Sequence, residues 1–283
     1  MNTTMNTVNQ TFNWSRFTAA LRKELVENWR TILFTLLGVY GLLAMIMVFG
    51  NLVINDEILF NSEQIHYVVV LVVLTFIVCI AASLSFKKLT RKNGRVDMFT
   101  SPSSTLEKYL VNALIYVFGF IVAFFICAQL ADLTRVAVLW YFRDRMFVPG
   151  PINFLNVLYS PFNFGQEAPI SASTMATILP LSLIANGGLF MMGSVLWPRL
   201  SVLKTFAALY GVEIAVALLG FLIMAIVGEN VVSEYVAKFI RVFTGREFNY
   251  WTVGWYIIQI VLFWGLTWYL LKRKDVISLK WWK

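Results

Sequence analysis

A chain of 283 residues that is 59% hydrophobic and only 13% charged is too apolar for a water-soluble domain, since soluble proteins run nearer a quarter charged. The net charge of +8 would point to nucleic acid in a polar chain. At a mean hydropathy of +0.73 it points instead to membrane orientation, and no nucleic-acid partner is expected.

The first fifteen residues, MNTTMNTVNQTFNWS, are polar and have no apolar run behind a basic start, so they do not read as a signal peptide. Asn9 and Asn13 match the glycosylation acceptor pattern, which is discounted because this end is expected to be cytoplasmic. Residues 12–30 predict an amphipathic helix: Phe12, Phe17, Leu21, Leu25 and Trp29 recur at helical spacing, with Arg16, Arg22, Lys23, Glu24 and Glu27 on other faces. Directly before a spanning run, such a helix is expected to lie along the membrane surface.

Six apolar runs follow, giving spans at about 31–53, 67–86, 109–130, 174–197, 205–228 and 250–271. Each is close to or above the roughly 20 residues that a spanning helix needs, and only the fifth holds a charge, Glu213. Lys and Arg fix the orientation. Of the 23, those in the N-terminal segment, in residues 87–108, at Arg199 and Lys204, and in the tail fall on one side; Arg135, Arg143, Arg145, Lys238, Arg241 and Arg246 fall on the other. The positive-inside bias therefore puts both termini and residues 87–108 in the cytoplasm. The fold class is an all-α integral membrane protein, a single transmembrane domain over 1–283, with six spans and an N-terminal interfacial helix.

The outer connections differ. Residues 55–63 are short and acidic, and 131–173 are long and proline-bearing. The start of the long one, DLTRVAVLWYFRDRMF, either extends the third helix or lies at the interface. Residues 229–249 carry Val232, Tyr235, Val236, Phe239, Ile240 and Phe243 on one stripe, which predicts a short amphipathic or re-entrant segment in the outer leaflet. No internal repeat is visible.

Residues that carry chemistry are sparse. There is no GxxxxGK[ST] phosphate cradle and no GxSxG elbow. His66 is the only histidine, which leaves no multi-His metal site, and it is expected at the outer interface. Cys79 and Cys127 lie inside apolar runs and read as small buried hydrophobes. Catalysis by this chain alone is not expected, nor is a metal or cofactor within it. Glu213 is a candidate intramembrane polar site, lining a substrate path, taking up a proton, or bonding Asn186; a structural hydrogen bond is the plainer reading. Pro180 with Asn186-Gly187-Gly188 predicts a kinked, closely packed fourth span rather than a gating hinge.

The densest cluster of positive charge is the cytoplasmic stretch 87–108, with Lys87, Lys88, Arg91, Lys92, Arg95 and Lys108 against Asp97 and Glu107. Its ending FTSPSSTLEKYL, together with the later run GSVLWPRLSVLKT, resembles the corresponding segments of permease subunits of bacterial type 2 ATP-binding-cassette (ABC) transporters. Ser101-Pro102-Ser103 stands where that family has a more apolar start. The resemblance implies an inner-membrane exporter subunit, paired as a homodimer or heterodimer. ATP and Mg would be bound by a separate cytoplasmic ATPase subunit. It also implies that residues 87–108 couple the ATPase to the spans. Arg91, Lys92, Arg95, Asp97 and Glu107 would be the polar contacts to that partner, and Met98 and Phe99 the apolar anchors. Two other classes stay open on the residues alone: a stand-alone secondary transporter using Glu213, and a non-transporting membrane scaffold or sensor.

Overall fold

The computed structural model describes residues 12–53, 63–142, 150–154, 172–227 and 247–274. Among them the chain is all-helical, and six helices are long and apolar enough to cross a membrane. The first, α1, runs without interruption from Trp14 to Val53. The second, α2, spans Glu63–Leu84. A 3-10 turn at Lys87–Thr90 and the short helix α3 (Lys92–Thr100) follow. The third long helix is composite: α4 (Thr105–Ala113), a π turn at Leu114–Gly119, and α5 (Phe120–Phe142). The last three are α6 (Ala172–Leu196), α7 (Ser201–Val227) and α8 (Glu247–Lys272).

One difference from the sequence reading has a physical cause. The amphipathic stretch is not a separate surface helix. No glycine or proline falls between Trp14 and Leu37, so nothing breaks the helix at Arg30. At about 1.5 Å per residue, the 40 residues of α1 reach roughly 60 Å, twice a hydrocarbon core. The charged turns of α1 therefore project beyond its apolar part. At the far end, the third helix extends to Phe142, which is the first of the two arrangements that the sequence leaves open for this stretch. The segment 229–249 lies outside the described residues except for the start of α8.

The helices pack α8 on α6, α6 on α2, and α5 on α1, with α7 touching α6 and α2. One apolar cluster joins Leu43 and Met47 to Val70, Leu74, Phe124 and Ala128. A second, nearer the basic loop, joins Phe86, Leu89 and Met98 to Tyr109, Met191 and Leu271. The outward surface is also apolar: Phe34, Met45, Val122 and Phe221 are all more than half exposed. In water a surface of this kind is an aggregation liability; against acyl chains it is neutral.

Close packing of α6 depends on its glycines. A Cβ on Gly188 would lie 2.3 Å from the Trp264 indole, and one on Gly187 would lie 2.8 Å from Val117 Cγ1. Trp264 seats its ring there and donates from Nε1 to the Ile184 carbonyl at 3.0 Å, and its own carbonyl accepts from the Tyr109 hydroxyl at 3.1 Å. Helix α6 continues through Pro180.

The far end is closed by buried polar pairs. Asp132 and Arg135 are both fully buried, with Arg135 Nε 2.7 Å from Asp132 Oδ1. The second Asp132 oxygen accepts from Ile152 N at 2.7 Å, and Arg135 Nη2 donates to the Gly150 carbonyl at 3.1 Å. This pair thus staples residues 150–154 across α5. His66, in the first turn of α2, is buried, with Nε2 3.2 Å from Asn51 Nδ2.

Candidate functional site

The loop between α2 and α4 folds as a compact block. Helix α3 lies so close to the preceding 3-10 turn that a Cβ on Gly94 would come within 2.5 Å of the Lys88 carbonyl oxygen. A larger residue there would force the two apart. Helix α3 ends at Thr100 because Ser101 precedes Pro102 and takes extended backbone, ψ 141°. Ser104 then starts α4 through a capping box: its hydroxyl accepts from Glu107 N at 3.2 Å, and Glu107 Oε2 accepts from Ser104 N at 2.7 Å.

The other oxygen of Glu107 reaches α1. Oε1 accepts from Asn13 N at 2.7 Å and from Arg16 Nη2 at 3.1 Å. Asn13 is itself the first cap of α1, its Oδ1 accepting from Ser15 N at 2.9 Å. Two further contacts lie along α1. Lys23 Nζ is 2.9 Å from Asp97 Oδ1, and Lys88 Nζ is 2.6 Å from Glu24 Oε2 and 2.8 Å from Glu27 Oε2. The hydrogen bond from Lys23 holds the Asp97 carboxyl below its ordinary value. Burial alone would push Lys88 down, but the Glu24 and Glu27 carboxylates outweigh it and hold it above the ordinary lysine value.

These contacts revise the expected contact set. Met98 is buried among the chain's own apolar residues and Glu107 is fully buried between α1 and α4, so neither presents a surface to a partner. Phe99 is half-buried against the same cluster as Met98. Asp97 is exposed but already paired with Lys23. Arg91 and Lys92 are exposed, as are Val96, Thr100 and Pro102, while Arg95 is half-buried. The outward face of the block is therefore basic with small residues and Val96, while Leu89 and Met98 point inward.

Two hollows flank the block. One, of about 220 Å³, lies between α1, α3 and α4 and is lined by Lys23, Lys88, Asp97, Pro102 and Asn112 among others. The other, of about 970 Å³, opens beside Asn28 and Thr31 and carries Lys87, Lys88, Arg91, Lys92 and Arg199. Thr90 Oγ1 donates to the Pro198 carbonyl at 2.9 Å, which ties the loop to the turn between α6 and α7 and brings Arg199 to this cleft. Leu200, in the same turn, has φ 57°, the left-handed region that turns the chain sharply. The tail joins the same end: Lys274 donates to the Val195 carbonyl, and burial with nearby Arg95 holds its ammonium below the ordinary value.

The two intramembrane candidates are not brought together. Asn186 is half-buried in α6, whereas Glu213 is exposed on α7, and neither bonds the other or any described residue. The capping box was the signal that sequence reasoning passed over. Ser-x-x-Glu before an apolar run at 104–107 marks a helix start, and it makes Glu107 structural.

No family model matches the chain, and no curated protein or solved structure matches it either.

Proposed function

We propose that this chain is the membrane-spanning permease subunit of an ABC exporter in the bacterial cytoplasmic membrane, with both termini inside. It would be energised by a separate ATPase chain carrying the nucleotide motifs that this one lacks. The observation that carries the reading is the folded block at residues 87–108. It is held to α1 by Glu107, Lys88 and Asp97, and it leaves Arg91 and Lys92 free on its outer face. A loop that served only to set topology has no need of a buried carboxylate bridging two helix starts. Because α1 is one uninterrupted helix, a push on the block is a push on the first span as well.

A second copy, or a related permease, is part of the reading. From Tyr210 to Leu222 every residue of α7 is exposed, Glu213 included. A carboxylate facing acyl chains is costly, and a second permease against α7 removes that exposure.

The test is affinity purification of the tagged full chain from its own membrane. An ATPase with a GxxxxGK[ST] cradle should co-purify, and Arg91→Glu with Lys92→Glu should lose it while the chain stays in the membrane. Undiminished co-purification from the doubly substituted chain overturns the contact face. No such ATPase in the native preparation overturns the class.

A further inference from the structure

We infer that the cleft beside Thr31 is a binding site for an anionic phospholipid, with the phosphate headgroup against Lys87 and Arg199 and an acyl chain in the adjoining groove on α1. The cleft holds about 970 Å³ and combines cations from two separate elements, the 87–92 turn and the α6–α7 turn. Only one acidic side chain, Glu24, lines it, and Lys88 already neutralises that carboxylate. Lys87, Arg91, Lys92 and Arg199 form no ion pair with any described residue. Four cations held together without a counter-charge repel one another, and an anion relieves that repulsion.

The depth of the cleft selects a lipid over a soluble anion. It opens at Asn28 and Thr31, on either side of Arg30, the last charge of α1 before its apolar part, and beside Leu84, the last residue of α2. On the proposed membrane placement of the six helices, that is headgroup level. Directly next to it, an apolar groove of about 280 Å³ is lined by Ile32, Leu36, Ile115 and Phe120. Thr31 and Ile32 are neighbours in the chain, as are Tyr116 and Ile115, so the basic cleft and the apolar groove lie on adjoining residues of α1 and of the π turn. A polar, positively charged chamber abutting a greasy one at the membrane edge fits an amphiphile with a negative head. Basic pockets between spans on the cytoplasmic side recognise such headgroups by the same chemistry.

The test uses the full chain purified in a zwitterionic detergent, with native mass spectrometry and thermal unfolding as readouts. Phosphatidylglycerol is the probe, phosphatidylcholine the neutral control and inorganic phosphate the soluble anion. The natural chain should retain phosphatidylglycerol and gain thermal stability from it, and phosphatidylcholine should do neither. Lys87→Gln with Arg199→Gln should weaken retention on the order of tenfold. Arg22→Gln with Arg30→Gln removes the same charge outside the cleft and should leave retention intact. Lys87→Gln alone, at an exposed position, carries the same comparison if the double variant fails to fold. Equal loss in the Arg22/Arg30 variant overturns the site, because general charge attraction then accounts for the binding. Equal retention of phosphatidylcholine overturns it too. Displacement of phosphatidylglycerol by matched inorganic phosphate reduces the site to a free-anion site and overturns the lipid assignment.

Discussion

The Glu107 carboxylate and the Arg16 guanidinium, 91 residues apart in the chain, meet at 3.1 Å, and that contact places one carboxylate at the start of two helices. Oε2 caps α4 at Ser104, and Oε1 takes Asn13 N at the start of α1. Both helix N-termini carry partial positive charge, so the carboxylate satisfies two sets of otherwise orphaned donors and both dipoles at once.

Replacing Glu107 therefore costs more than a surface ion pair. Glu107→Ala strands the Ser104 and Asn13 amides in a buried site, and we expect a loss of about 2–4 kcal/mol. Glu107→Gln keeps one acceptor and should lose less. Arg16→Gln, at a partly exposed position, should cost under about 1 kcal/mol. Thermal unfolding in detergent ranks the three, and an Arg16 variant as damaged as Glu107→Ala contradicts the double-cap role.

The latch should be insensitive to pH across the neutral range. Asp97 is held below its ordinary value of 3.8 by the Lys23 hydrogen bond, so its contribution is present above that value and fades as pH falls through the lower folded value. Lys88 and Lys23 are raised above 10.5, so theirs is complete below 10.5 and fades only as pH rises past the folded values. Amide exchange of residues 14–28 should accordingly keep the same protection between about pH 5 and 9, after correction for intrinsic rates. It should loosen below about pH 4.

How much of this was legible in the sequence differs by element. A membrane leaves the backbone few alternatives to helix, so each of the six apolar runs falls on a helix long and apolar enough to cross one, although α1 begins at Trp14 and the third helix runs on to Phe142. Periodicity predicts helix over residues 12–30 and the chain is helical from Trp14, but periodicity cannot tell whether an apolar stripe faces lipid or protein. Here Phe17 packs on Val111 and Ile115. Met98 and Glu107 are expected to contact a partner only through the resemblance to ABC permeases, and no local pattern places them inside the chain. What turns them inward is tertiary: the cluster around Phe86 and Leu89, and the Asn13 amide. Asp132 and Arg135 sit at i and i+3, a readable pair, but their burial depends on residues 150–154 folding back, which no local pattern announces.

That pair makes a third prediction. Asp132→Ala leaves the Arg135 charge buried with one carbonyl for company, and the expected cost is about 3–5 kcal/mol. Replacing both by Leu and Met should cost less than either single change, since no unpaired charge then remains. Unfolding of the two single variants and the double variant closes the cycle. A double variant worse than both singles means the staple on residues 150–154, and not the charge balance, dominates.

The glycines of α6 and α1 separate packing from propensity. Gly188→Ala drives a methyl into the Trp264 ring, so α8 must shift, with an expected loss of about 1–3 kcal/mol. At Gly38 and Gly41 nothing lies within 4 Å of the added carbon, and Ala there should gain up to about 1 kcal/mol from helix propensity. The intrinsic fluorescence of Trp264, one of ten tryptophans, is best read by difference against Trp264→Phe. A Gly188→Ala chain with unchanged difference spectrum and stability contradicts the close contact.

Glu213 tests the pairing of two permeases. It has no partner among the described residues, so Glu213→Gln should leave unfolding of the isolated chain within about 0.5 kcal/mol of the natural one. If α7 faces a second copy, cysteines at Val212, Val216 and Leu219, all exposed on α7, should cross-link to dimers in native membranes. A cysteine at Val39 should not, since Val39 is 4% exposed in the α1 core. Both native cysteines are buried, so a background product is not expected from them. Cross-links at the three α7 positions, weakened by Glu213→Lys, establish that α7 lies against its own copy. If no α7 position cross-links and Glu213→Lys changes nothing, the helix faces lipid or a different permease, and the homodimeric form of the reading fails.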